Sequence, residues 1–121
     1  MIKGIGVDII EIDRIKQAVE KHGENFLKKV YTTRELTYCS GTKSWRIPEL
    51  AVRFAAKEAY AKAVGTGIGK GKKPLNWLDI EIDNDKLGKP MIAVKGRRSK
   101  RVQVSLSHSR DYAVAMVSLE A

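Results

Sequence analysis

A chain of 121 residues, 43% hydrophobic and 31% charged, has enough apolar side chains for one core and too few residues for two, so it reads as one folded domain over residues 1–121. It shows no basic leader ahead of an apolar core and no run near the ~20 apolar residues of a membrane span, and its lone Cys39 excludes an internal disulfide, which together point to the cytoplasm. The 23 Lys plus Arg against 14 Asp plus Glu leave +9, enough to steer an anionic partner but not to choose among nucleic acid, phospholipid, a nucleotide-like substrate and an acidic protein.

Residues 2–10 alternate, with Ile5, Val7 and Ile9 on one side and Gly4, Gly6 and Asp8 on the other, the pattern of a strand that ends near a carboxylate. A helix follows with Asp13 as its N-cap, an apolar stripe of Ile12, Ile15 and Val19, and Gly23 as its stop; Arg14, Lys16 and Lys21 decorate its exposed side. A second helical piece spans about residues 24–30, and Thr32 with Glu35 makes a capping box for a third. Residues 41–46 read as a loop.

Pro48 suits the first turn of a long helix to about Val64, on which Val52, Ala56, Ala59 and Ala63 share a narrow face and Glu58 and Lys62 line its edge. Gly65, Gly67, Gly69 and Gly71 then make a flexible stretch that carries Lys70, Lys72 and Lys73. Strands are expected at 78–83, 91–94, 102–107 and 112–118, with Asn84, Asp85 and Gly88 turning between the first two and 109–111 joining the last two. One strand, then helices, then several strands predicts an α+β fold: a mainly antiparallel sheet packed against one long helix and several shorter helices.

Two glycines precede Asp8 on its own strand face, so an anionic ligand or a metal could approach there; equally, Asp8 could simply begin a turn. Glu58 and Lys62 are spaced as an i,i+4 ion pair, which is an ordinary surface feature as well as a possible site. The glycine-rich stretch follows a helix instead of opening one, and Lys70 is not followed by Ser or Thr, which excludes a Walker A loop; no strand precedes it, which excludes a dinucleotide fingerprint. Backbone N–H groups beside three lysines fit a phosphate cradle or a solvated loop. His108, in Ser107-His108-Ser109-Arg110, can donate to phosphate, whereas His22 belongs to a helix end. Trp45, Trp77, Phe26 and Phe54 suit core or interface packing, since they do not interleave with arginine as single-strand binders require.

Together, Gly4-Ile5-Gly6-Val7-Asp8-Ile9-Ile10-Glu11-Ile12-Asp13-Arg14-Ile15, Arg53-Phe54-Ala55-Ala56-Lys57-Glu58-Ala59, Lys62-Ala63-Val64-Gly65-Thr66-Gly67, Gly88-Lys89-Pro90 and Ser105-Leu106-Ser107-His108-Ser109 resemble, in order and over nearly the whole chain, the holo-(acyl-carrier-protein) synthases. The resemblance implies a homotrimer with sites at subunit boundaries. It also implies Mg2+-dependent transfer of 4'-phosphopantetheine from coenzyme A to a serine of apo acyl carrier protein, in fatty acid biosynthesis, with release of adenosine 3',5'-bisphosphate. By the same resemblance Asp8 and Glu58 would hold the metal, Glu58 would take the hydroxyl proton directly or through a metal-bound water, and Lys62 would neutralise phosphate. Arg53, Gly65, Gly67 and His108 would hold the nucleotide end of coenzyme A, with Arg53 and His108 at the 3'-phosphate and Pro90 beside the adenine. Arg14, Lys21 and Phe26 would face the acidic carrier protein, and Ala18 stands where the family often has a larger apolar residue. The rival readings are a basic RNA- or DNA-binding domain and a non-catalytic trimeric scaffold.

Overall fold

The computed structural model describes residues 1–72 and 74–121, so Lys73 of the glycine-rich stretch lies outside the described residues. Strand β1 (Ile2–Glu11) runs straight into helix α1 (Ile12–His22). The extended residue at the junction is Glu11, and the Ile12 N–H is held by the Asp111 carbonyl at 2.8 Å. Asp13 is therefore not the N-cap that the sequence suggests. It sits in the first turn, where its carboxylate favours the helix dipole and accepts from Gln17 at 2.6 Å. Gly23 ends α1 at φ 53°, returning its N–H to Val19, and helix α2 (Glu24–Val30) starts at once. The Thr32/Glu35 capping box forms as expected at the head of helix α3 (Thr33–Cys39). Cys39 is fully buried and its thiol is pushed up to about 11 by that burial, so it packs as a small apolar side chain.

Helix α4 (Ile47–Val64) opens on Pro48 and closes on Gly65, whose left-handed φ of 95° turns its N–H back to Ala61 and Lys62. After a short 3-10 turn (Trp77–Asp79) come strands β2 (Ile80–Asn84), β3 (Pro90–Val94), β4 (Arg97–Arg98), β5 (Val102–His108) and β6 (Tyr112–Glu120). The turn replaces the start of a strand expected from residue 78, because the Asp79 carboxylate accepts from the Asn76 N–H at 2.9 Å and so favours a cap over a ladder. The two-residue β4 gives no alternation to read; a turn at Lys95 and Gly96, both with positive φ, folds it back onto Ala93 and Val94. Among the described residues the named strands pair only antiparallel, in two sheets ordered β1-β6-β5 and β2-β3-β4, so the α+β expectation holds.

Helix α4 lies across one face of the β1-β6-β5 sheet. A side chain at Gly6 would overlap the Ala59 carbonyl, and one at Gly4 would overlap that of Ala63. The glycines thus clear room for the helix backbone, not for a ligand as the strand pattern alone suggests. The opposite face of the sheet is left bare. Ile5, Val7 and Ile9 are 61%, 56% and 64% exposed, and Met116, directly across from Val7, is 46% exposed.

Candidate active site

Asp8 shares the α4-facing side of β1 with Gly6, so its carboxylate emerges where strand and helix meet. There it forms one wall of a cavity of about 500 Å³ with Glu58 of α4, Arg14 and Ala18 of α1, Phe26 of α2 and Phe54. Lys62, one turn after Glu58, bonds to Asp8 Oδ1 at 2.8 Å and to the Val7 carbonyl at 3.1 Å. The i,i+4 pairing with Glu58 does not form; among the described residues Lys62 makes its ion pair with Asp8. Burial raises the Glu58 carboxyl above its ordinary pKa and the Asp8 charge raises it further, while Lys62 and Lys70 act the other way. The structure therefore brings two mutually repelling carboxylates and a lysine together at one opening.

A second cavity, about 240 Å³, lies among Tyr38, Glu49, Asn84, Gly88, Pro90 and His108, with Val52, Leu106 and Ser107 completing its lining. Pro90 and His108 meet here. Arg53 stands behind this lining at only 1% exposure, its guanidinium bonded to Glu49 Oε2 at 3.1 Å and Asn84 Oδ1 at 2.7 Å and centred 4.2 Å from the middle of the Tyr38 ring. Among the described residues its Nε has no partner. Sequence reasoning missed Tyr38, Glu49 and Asn84. Only Glu49 left a trace, four residues ahead of Arg53 on the same helix.

The amides of Gly65, Thr66 and Gly67 all turn back to the Ala61 carbonyl, at 3.0, 3.2 and 3.3 Å. They finish α4 instead of facing outward, so an open cradle of N–H groups is not what these three residues form. Lys21 is exposed in the last turn of α1, outside both cavities, and Arg110 lines a separate hollow with Asp13, Lys16 and Tyr112. The aromatic residues stack on one another: Phe54 on Trp77 at 4.7 Å and Phe26 beside Phe54 at 6.4 Å.

The charge surplus is also unevenly placed. Residues 11–29, which include α1 and all of α2 but its last residue, hold five Lys or Arg against four Asp or Glu, whereas residues 86–101 hold seven and no acid. Most of the excess therefore belongs to the corner around β3, β4 and the start of β5.

A family model described as the 4'-phosphopantetheinyl transferase superfamily matches residues 4–117. The chain belongs to that superfamily. The holo-(acyl-carrier-protein) synthase of Chloroherpeton thalassium is 48% identical over 120 residues, 96% of each chain, and that of a Geobacillus species is 47% identical over 121 residues, 99% of this chain and 98% of the other. Among solved structures, the Bacillus anthracis synthase in complex with coenzyme A (3',5'-ADP) superposes with a TM-score of 0.80 at 43% identity, covering 100% of this chain and 98% of that one. The Helicobacter pylori synthase in complex with coenzyme A gives 0.81 at 30% identity, covering 96% and 99%. The resemblance carried by the motifs is borne out, and the chain is an enzyme of this superfamily. Among the described residues, no helix is long and apolar enough to cross a membrane.

Proposed function

We propose that this enzyme transfers 4'-phosphopantetheine from coenzyme A to a serine of apo acyl carrier protein, with Mg2+ and with release of adenosine 3',5'-bisphosphate, in the cytoplasm and in service of fatty acid biosynthesis. The observation that carries the reading is the convergence of Asp8 and Glu58 on one cavity that Arg14 and Phe26 also line. The relatives' names and their coenzyme A complexes supply the substrate class.

The donor set fits Mg2+. Two hard carboxylates whose charges oppose each other are relieved by a dication, and hard oxygen donors suit an ion that keeps waters and shares its shell with substrate phosphates. Asp8 and Glu58 would hold Mg2+, whose charge would neutralise that of the pyrophosphate. Lys62, already at Asp8, adds a positive charge for the transferred phosphoryl or the leaving group. Glu58 accepts the serine proton, a role that a carboxyl raised above its ordinary pKa suits. Pro90 and His108 receive the nucleotide end in the second cavity, His108 at the 3'-phosphate, while Arg53, its charge paired with Glu49, holds Glu49 and Asn84 in the cavity wall. Gly65 and Gly67 let the chain turn sharply at the end of α4 beside the phosphates. Arg14, Lys21 and Phe26 meet the carrier protein.

The bare face of Ile5, Val7, Ile9 and Met116 supports assembly into a homotrimer, since an apolar sheet face of this kind is unfavourable in water and is covered by other copies, with sites at the boundaries. The seven-cation corner favours one rival, polyanion binding, but residues 78–111 contain no Phe, Tyr or Trp on which bases could stack. The test is to incubate folded chain, coenzyme A, Mg2+ and apo carrier protein and weigh the carrier by mass spectrometry. An added phosphopantetheine is expected; an unmodified carrier would sink the proposal.

A further inference from the structure

Lys57 is the one residue of the Arg53–Glu58 segment whose charge the proposed mechanism leaves idle, and it is completely buried. Its ammonium spends all three protons inside the chain, on the Val30 carbonyl at 2.5 Å, on Glu35 Oε1 at 2.7 Å and on the Trp77 carbonyl at 3.0 Å. Glu35, also fully buried, accepts from the Thr32 N–H with Oε1 and from the Ile82 N–H with Oε2, both at 2.9 Å. One side chain on α4 thus ties together the end of α2, the head of α3, the 3-10 turn and β2.

Filling space does not require this. A buried pair of charges is expensive to desolvate, and apolar side chains of similar volume commonly replace such a pair without loss of stability. Burial indeed pushes the Lys57 ammonium below its ordinary pKa, with the Glu35 carboxylate opposing the shift. What distinguishes the pair is where its bonds lead. Val30 ends the helix that carries Phe26, Trp77 stacks on Phe54 at 4.7 Å, and Phe26 and Phe54 are walls of the cavity that holds Asp8 and Glu58. Glu58 is the next residue along α4.

We propose that Lys57 is a positioning residue for group transfer: through Val30 and Glu35 it fixes the distance between Phe26 of α2 and Glu58 of α4, and through Trp77 the seating of the Phe54 ring beside them, and so the width of the opening through which the acceptor hydroxyl reaches the donor. This rests on the transferase reading above. None of the groups bonded in this linkage, Val30, Thr32, Glu35, Trp77 and Ile82, lines the nucleotide cavity around Pro90 and His108, so Lys57 governs turnover and not nucleotide binding.

The test uses the full chain with both charges removed, Lys57→Met with Glu35→Gln, because Lys57→Met alone would strand a buried carboxylate. The double variant is expected to melt cooperatively and to bind adenosine 3',5'-bisphosphate as the parent does, while kcat for apo carrier protein falls by about 10²-fold, the scale of a ~1 Å misplacement. Parental kcat in the folded double variant overturns the proposal, and so does an equal loss of nucleotide affinity and kcat. Trp77→Leu tests the route without touching the buried pair, because the bond from Lys57 to the residue 77 carbonyl survives. Its kcat should drop with nucleotide affinity unchanged, and a parental rate overturns the route through the aromatic stack. A parent chain that transfers nothing would fail the underlying reading instead, so the two failures are distinguishable.

Discussion

Lys62 Nζ lies 2.8 Å from Oδ1 of Asp8, 54 positions away in the chain, and not against Glu58, four positions away on its own helix. Lys62 therefore offsets one of two neighbouring carboxylates and leaves Glu58 less compensated. Lys62→Ala is expected to lower kcat by about 10²-fold or more, the usual cost of removing one charge-stabilising group from a transition state. Because Lys62 lowers the Glu58 pKa, its loss should also move the acid limb of the pH–rate profile upward. A profile that keeps its acid limb in place would count against the electrostatic link.

The raised Glu58 carboxyl has a consequence for stability in the metal-free protein. Its folded pKa exceeds its unfolded value, so the contribution it makes is fully present below the ordinary carboxyl pKa and is lost as pH rises through the folded pKa. Glu58→Gln removes that dependence. Melting temperatures of parent and variant should coincide at low pH and separate in the variant's favour as pH climbs through the carboxyl range, and Mg2+ should narrow the gap. Parallel curves would show that Glu58 ionises at no cost in the fold.

How much of this was legible in the sequence follows from the range of the interaction. The Thr32/Glu35 box, the Pro48 start and the Gly65 stop of α4 depend on residues within one helical turn, and the sequence reading placed them correctly. Lys57 gives no local signal, because in an Ala-rich helix a buried lysine looks like a surface one until Glu35 and Trp77 arrive from elsewhere in the chain. Asn84 beside Arg53, 31 positions apart, is hidden for the same reason. The face of β1 was misread because alternation tells which residues share a side and not what covers it; two glycines look like space for a ligand until α4 fills it.

That helix contact makes a sharp prediction about glycine. Gly6→Ala would drive its methyl into the Ala59 carbonyl, and both are backbone-fixed, so β1 and α4 must separate at about 1–3 kcal/mol or more. Gly23→Ala meets nothing within 4 Å and forces no element apart, but must hold φ 53° with ψ −130°, costing about 1–3 kcal/mol. Chemical denaturation should rank Gly6→Ala as clearly the more damaging, and Gly6→Ala should also lose activity because Asp8 moves relative to Glu58. Equal losses would mean that the strand and helix yield easily.

Val7 stands at the centre of the bare face, flanked by Ile5 and Ile9 and opposite Met116. In an isolated chain Val7→Lys exchanges an exposed apolar side chain for a solvated one and costs the fold little. In an assembly that buries this face it places an unpaired ammonium in the interface, which costs far more than the lost packing. Sedimentation velocity is therefore expected to find the parent as a trimer and Val7→Lys as a folded monomer with unchanged far-UV dichroism. If the sites are shared across subunits, transfer to carrier protein should disappear with the trimer, although Val7 itself points away from Asp8 and Glu58. A monomeric parent, or a Val7→Lys variant that assembles as the parent does, would remove the apolar face as the driving surface.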